Sequence, residues 1–188
     1  NHNIGDITPY SIWIFNFIAA LGIIISGVLV WLILSRFLKS RWLIFLSAMV
    51  LPWIHPQMRR LDIGHFNLSY AWLILLAIYL LILIYFAWHN NRGRFWIYWG
   101  LMLVLLIGCA FIHLYYIAII GVVVAAFGVV FSVEQWKKSR FWIPAVAGIG
   151  VTAAALVIVL AVIRTIDQFY HMRLQVPGGY DWMEWKLQ

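Results

Sequence analysis

Two arginines, two histidines and an aspartate fall within thirteen consecutive positions, His55-Pro56-Gln57-Met58-Arg59-Arg60-Leu61-Asp62-Ile63-Gly64-His65-Phe66-Asn67. Guanidinium groups bind phosphate oxygens bidentately. Arg59 and Arg60 therefore suit a lipid-linked phosphate or pyrophosphate, and they equally suit a loop pair reaching for lipid headgroups. His65 is able to donate to a phosphate or shuttle a proton, or to serve as a helix-entry residue satisfied by backbone. Asp62, beside the arginines, is expected to pair with them, which blunts it as a base. A second group, His113-Leu114-Tyr115-Tyr116, offers an imidazole, hydroxyls and a ring on which a sugar can stack, although an interfacial aromatic belt accounts for the tyrosines as well. Asp6, in Gly5-Asp6-Ile7-Thr8-Pro9, fits two roles: a carboxylate that takes a proton or holds a metal, or an N-terminal helix cap.

Other chemistry finds less support. No two histidines stand four apart and Cys109 is the single cysteine, so the usual zinc signatures are missing. A bis-histidine haem needs two histidines facing each other within spans, whereas His55, His65 and His113 all fall at span ends. Cys109, between Gly108 and Ala110, reads as a buried small hydrophobe. Asp167, His171 and Arg173 read as ordinary surface residues.

The elements that must position these groups are apolar. The chain has 188 residues, 65% hydrophobic and only 10% charged, with a mean hydropathy of +0.95; ordinary soluble domains carry about 25% charged residues. The composition is that of an integral membrane protein, and the expected fold is all-α, a polytopic transmembrane helical bundle of about six crossings that includes short or broken helices. Spans are expected at 10–34, 42–54, 68–88, 95–112, 116–133 and 141–163. Gly22, Ser26 and Gly27 give the first a small-residue face for close packing. The second holds thirteen residues, roughly 20 Å of helix, too short for a hydrocarbon core of ~30 Å. Pro52 and Pro56 bracket its end, so the Arg59–His65 stretch is expected to lie partly sunk in the protein. The apolar run 95–133 has 39 residues and is split at His113, which predicts two slightly short spans joined by a tight turn. Pro144 is tolerated in the first turn of the last span. Residues 164–188 are expected to form an external tail with a Pro177-Gly178-Gly179 turn and an aromatic end, Trp182, Met183 and Trp185. The start at Asn1 and the polar end at Gln188 are expected of a piece of a longer protein, with the tail opening a further segment. The first apolar run is too long for a signal peptide and lacks a basic leader.

Alternating crossings put Arg36, Lys39, Arg41, Arg92, Arg94, Lys137, Lys138 and Arg140 on one side, eight of the thirteen Lys and Arg, against Glu134 alone. Basic residues accumulate in cytoplasmic loops, so that side is expected to be cytoplasmic, in a bacterial inner membrane. Their place in short loops between apolar runs also argues against nucleic acid as a partner for a chain of net charge +7. Five of the six acids and five of the six histidines fall on the other side.

The order of these parts resembles the GT-C superfamily of bacterial membrane glycosyltransferases: a loop before the first span, a short helix, then Arg-Arg-Leu-Asp-Ile-Gly-His-Phe-Asn-Leu-Ser (59–69), then a long Leu/Ile span. Phe111-Ile112-His113-Leu114-Tyr115-Tyr116 is similar to the His-Pro-Tyr-like element of those proteins, with Leu114 where proline is common. The similar elements cover roughly residues 5–135. The resemblance implies an enzyme using a polyprenyl-phosphate-linked sugar, with chemistry at the external face among membrane lipid. It implies Asp6 as the catalytic carboxylate carried here, Arg59, Arg60 and His65 at the donor phosphate, and His113 and Tyr116 at the sugar or its phosphate. The cofactor is left open, a divalent metal at the carboxylate being compatible with the chemistry. The alternative is a non-catalytic membrane subunit of a larger complex, with membrane-protein partners on its aromatic spans. A transporter built on broken helices needs a second, symmetry-related interruption, and none is visible.

Overall fold

In lipid a backbone finds no water to bond with, so each crossing segment must satisfy its own N–H and C=O groups. The computed structural model of the protein, which describes residues 11–54 and 70–166, does this entirely with helices. Six occur among the described residues: α1 (Ser11–Leu34), α2 (Arg41–Ile54), α3 (Ala71–Asn90), α4 (Arg92–Ile112), α5 (Leu114–Glu134) and α6 (Ile143–Ile166). All but α2 are long and apolar enough to cross a membrane. The all-helical membrane bundle expected from composition is what the chain forms.

α2 has 14 residues, about 21 Å of helix at ~1.5 Å per residue. Pro52 does not end it: the proline is buried inside the helix. The helix fits closely against α1 here, where a Cβ on Gly27 would sit 3.0 Å from the Ala48 carbonyl oxygen and 3.8 Å from Cγ of Pro52. Gly22, one turn earlier, faces α3 instead, with Cδ1 of Trp72 3.1 Å from where its Cβ would be. Ser26 returns its hydroxyl to the Gly22 carbonyl at 2.8 Å. The small-residue face of α1 thus fastens two neighbours.

The 39-residue run divides where expected, but neither half is short. α4 and α5 hold 21 residues each, ~31 Å of helix apiece, because α4 starts back at Arg92 and α5 runs on to Glu134. One-residue turns make this possible. Asn91 and His113 each take an extended conformation, φ −157° and −163°. Each closes the helix before it with its N–H and opens the helix after it with its side chain. Asn91 N–H donates to the Ala87 carbonyl and its side chain accepts from Arg94 N–H at 3.1 Å.

Helix association in lipid rests on close van der Waals packing and interhelical hydrogen bonds rather than on the hydrophobic effect. The core follows that rule: it lies among α3, α4, α5 and α6, around Ile84, Phe95, Met102, Leu106, Val124 and Val159. α1 packs on α3, and α2 on α1. The tightest pair is α5 with α6. A Cβ on Gly128 would meet the Pro144 carbonyl oxygen at 2.5 Å, and one on Gly148 would meet the Val124 carbonyl oxygen at 2.9 Å. Thr152 Oγ1, bonded to the Gly148 carbonyl at 2.9 Å, also reaches the Gly121 carbonyl of α5 at 3.3 Å. Pro144 sits in the first turn of α6, where the Ser132 hydroxyl of α5 accepts from Ala145 N–H at 2.8 Å.

Candidate functional site

His113 lies at one end of the bundle, between α4 and α5. Its N–H donates to the Cys109 carbonyl at 3.0 Å. Its ring nitrogen Nδ1 accepts from Tyr115 N–H at 3.1 Å. A nitrogen that accepts carries no proton, so the proton of the neutral ring sits on Nε2. Sequence reasoning weighed this imidazole as a group for sugar or phosphate; the turn also employs it as a helix cap. The two tyrosines that follow separate. Tyr115 is 64% exposed, with its ring tilted against His113 at 6.0 Å. Tyr116 is 1% exposed, and its hydroxyl accepts from Tyr70 N–H at 3.0 Å. Any sugar stacked on this turn would therefore meet Tyr115, while Tyr116 fastens α5 to the entry of α3.

Tyr70 is where the chain leaves the stretch that holds Arg59, Arg60 and His65. The hydrogen bond to Tyr116 brings the exit of that stretch to the His113 turn. The Tyr70 ring tilts against Trp72 at 6.5 Å, and burial pushes its phenol above the usual value near 10. Of the predicted site residues, His113 and Tyr116 are described; they share one helical turn, Tyr116 N–H donating to the His113 carbonyl at 3.0 Å. Asp6, Arg59, Arg60 and His65 lie outside the described residues, as do Asp62, Asp167, His171, Arg173 and the aromatic end of the tail. Cys109 is buried, as its neighbours predicted. No group of three His, Cys, Asp or Glu side chains lies together among the described residues.

The opposite end carries a polar and aromatic cluster that sequence reasoning did not single out. Glu134, the lone acid of the basic end, accepts from the Tyr85 hydroxyl at 3.1 Å. His89 Nδ1 lies 3.0 Å from the Tyr85 carbonyl oxygen, and its ring tilts against Phe131. The Arg92 guanidinium stands 3.4 Å above the Trp88 ring, an arrangement in which the ring's quadrupole attracts the cation. Arg36 reaches the Tyr79 hydroxyl at 3.3 Å. Two buried polar atoms, Trp99 Nε1 and Gln135 Oε1, have no hydrogen-bond partner among the described residues. The signal available for this cluster was Glu134 itself, one carboxylate amid eight basic residues.

The model of the DUF6311 family, a domain of unknown function, matches residues 4–188. The chain belongs to that family. The DUF6311 match takes in Asp6, the Arg59–His65 stretch and the His113–Tyr116 turn, so all three candidate groups are parts of one domain. No curated protein matches the DUF6311 chain, and no solved structure matches it.

Proposed function

We propose that this DUF6311 chain is the membrane portion of a glycosyltransferase that moves a sugar from a polyprenyl-phosphate donor to an acceptor at the external face of a bacterial inner membrane. The observation that carries the reading is the bond between Tyr70 and Tyr116. It draws the exit of the only Arg-Arg-x-x-x-x-His stretch in the chain toward the turn that holds His113, at the end of the bundle away from the eight basic loop residues. The resemblance of both elements to GT-C enzymes supports the same conclusion.

In this mechanism the acceptor hydroxyl attacks the anomeric carbon as the bond from that carbon to the phosphate oxygen breaks. A carboxylate, with Asp6 the candidate, takes the hydroxyl proton. Arg59, Arg60 and His65 stabilise the charge gathering on the departing polyprenyl phosphate. His113 contributes an Nε2–H donor, and Tyr115 a ring for the sugar. The polyprenyl chain lies along the apolar helices.

The test uses the full chain in proteoliposomes with radiolabelled undecaprenyl-phosphate hexoses, following release of undecaprenyl phosphate. Arg60→Ala and His65→Ala are expected to abolish release while the helical circular dichroism is unchanged. Full release by both variants would remove the site assignment.

A second reading, a non-catalytic subunit of a membrane complex, draws on one observation: the hydrogen bonds of His113 and Tyr116 account for both residues structurally. Under that reading the chain binds no polyprenyl-phosphate sugar and copurifies with a membrane-protein partner.

A further inference from the structure

A groove of about 480 Å³ runs between α4 and α6 near the basic end of the bundle, away from His113. Trp96 and Trp142 form part of its wall and are 56% and 53% exposed. Leu103 and Val146 continue the lining. Gly100 and Gly150 also line it, and a Cβ added to either meets nothing within 4 Å. The missing side chains at these two positions hold open space that the protein itself does not fill. The volume lies within the range of roughly 300–1,000 Å³ found for small-molecule sites, and Trp96 to Leu103 spans ~10 Å of helix. The lining is almost wholly apolar.

The turn that leads into it is not. Arg140 precedes the lining residue Trp142 by two, and its carbonyl accepts from the N–H of the lining residue Ile143 at 3.2 Å, with Lys137 and Lys138 in the same turn. Glu134, the acid of this end, is already bonded to Tyr85. Arg140 has φ 68°, a left-handed conformation that glycine takes freely and a side chain resists. Strained residues of this kind gather at binding sites.

We infer that the groove seats an acyl chain of an anionic glycerophospholipid, whose phosphate is held by Lys138 and Arg140. The apolar slot alone would accept any acyl chain. The uncompensated positive charge at its mouth selects an anionic headgroup over a zwitterionic one.

The experiment is native mass spectrometry of the full chain in mild detergent, with dioleoylphosphatidylglycerol or dioleoylphosphatidylcholine added. The wild-type chain is expected to retain the anionic lipid about tenfold better, since each basic residue near a headgroup contributes measurably. Gly100→Leu and Gly150→Leu fill the groove and are expected to lower retention of phosphatidylglycerol, with helical circular dichroism unchanged. The double variant Lys138→Gln/Arg140→Gln is expected to bring the two lipids to equal retention without altering that of phosphatidylcholine. Equal retention of both lipids by the wild-type chain overturns the inference. So does unchanged retention of phosphatidylglycerol by a folded Gly100→Leu or Gly150→Leu. A dimer that these substitutions abolish and added lipid leaves intact would give the groove to a second copy and overturn it too. If neither glycine variant folds, the charge variant decides: a preference it leaves intact rejects the site.

Discussion

The backbone N–H of Tyr70 donates to the hydroxyl of Tyr116 at 3.0 Å, across 46 positions of the chain. Tyr70 is not yet in helical register, so its amide has no partner from α3 itself, and the phenol supplied by α5 answers for it. Leaving a buried or half-buried donor unpaired costs about 1–3 kcal/mol. Tyr116→Phe keeps the ring and removes the acceptor, and is expected to destabilise the chain by that amount. Thermal unfolding in detergent followed by circular dichroism is the measurement, and an unchanged midpoint would mean the bond contributes nothing.

His113 permits a separation of structural from chemical roles. Loss of a capping side chain costs about 0.5–2 kcal/mol, so His113→Ala is expected to lower the melting temperature. His113→Asn restores an acceptor for Tyr115 N–H but has no imidazole. If the ring meets substrate, the asparagine variant recovers stability and not sugar transfer. Recovery of both would confine the residue to the turn.

Arg140 is expected to behave in the opposite sense. A side chain in the left-handed region costs roughly 1–2 kcal/mol relative to its ordinary conformation, and φ at this position is 68°. Arg140→Gly is therefore expected to raise stability by about 1 kcal/mol in lipid-free detergent, measured by the same thermal scan. A fall in stability would show that the guanidinium holds the turn together.

Glycines of α4 and α5 should differ sharply in tolerance. A Cβ on Gly128 lies 2.5 Å from the backbone oxygen of Pro144, whereas one on Gly100 has open space. Overpacking of this kind costs about 1–3 kcal/mol, so Gly128→Ala is expected to destabilise the α5–α6 pair. Gly100→Ala is expected to stay within about 0.5 kcal/mol of the parent. Equal effects of the two substitutions would contradict the helix contact.

Much of the architecture was legible before any coordinates. The runs around Ile24, Ile78 and Val157 are long and apolar enough to be read as crossings one at a time. The short second helix was legible too, since thirteen apolar residues followed by arginines cannot reach across. The expected shortness of the two helices flanking His113 was mistaken for a local reason: apolar counting stops at Phe95 and Val133, whereas the helices run back to the capping residue Asn91 and on to the acid Glu134. Of the candidate site, the pairing of the His113 turn with the chain leaving the Arg-Arg stretch was anticipated only as a shared side. The bond that joins them depends on Tyr116 pointing inward and Tyr115 outward, which two adjacent identical residues do not announce.

What the amino-acid order determined alone is the class of structure: helices, their number in the described chain, and basic residues gathered in the short turns between them. These follow from local physics, because in lipid each segment must bond its own backbone and charge must stay at the ends. The tertiary structure alone decided which faces meet, that α5 and α6 approach through Gly121, Gly128 and Gly148, and that a slot stays open between α4 and α6. Helices that are apolar all round bear no stripe to mark an inner face. In lipid a leucine is as well placed outside as inside, so only the fit of one helix against another chooses between them.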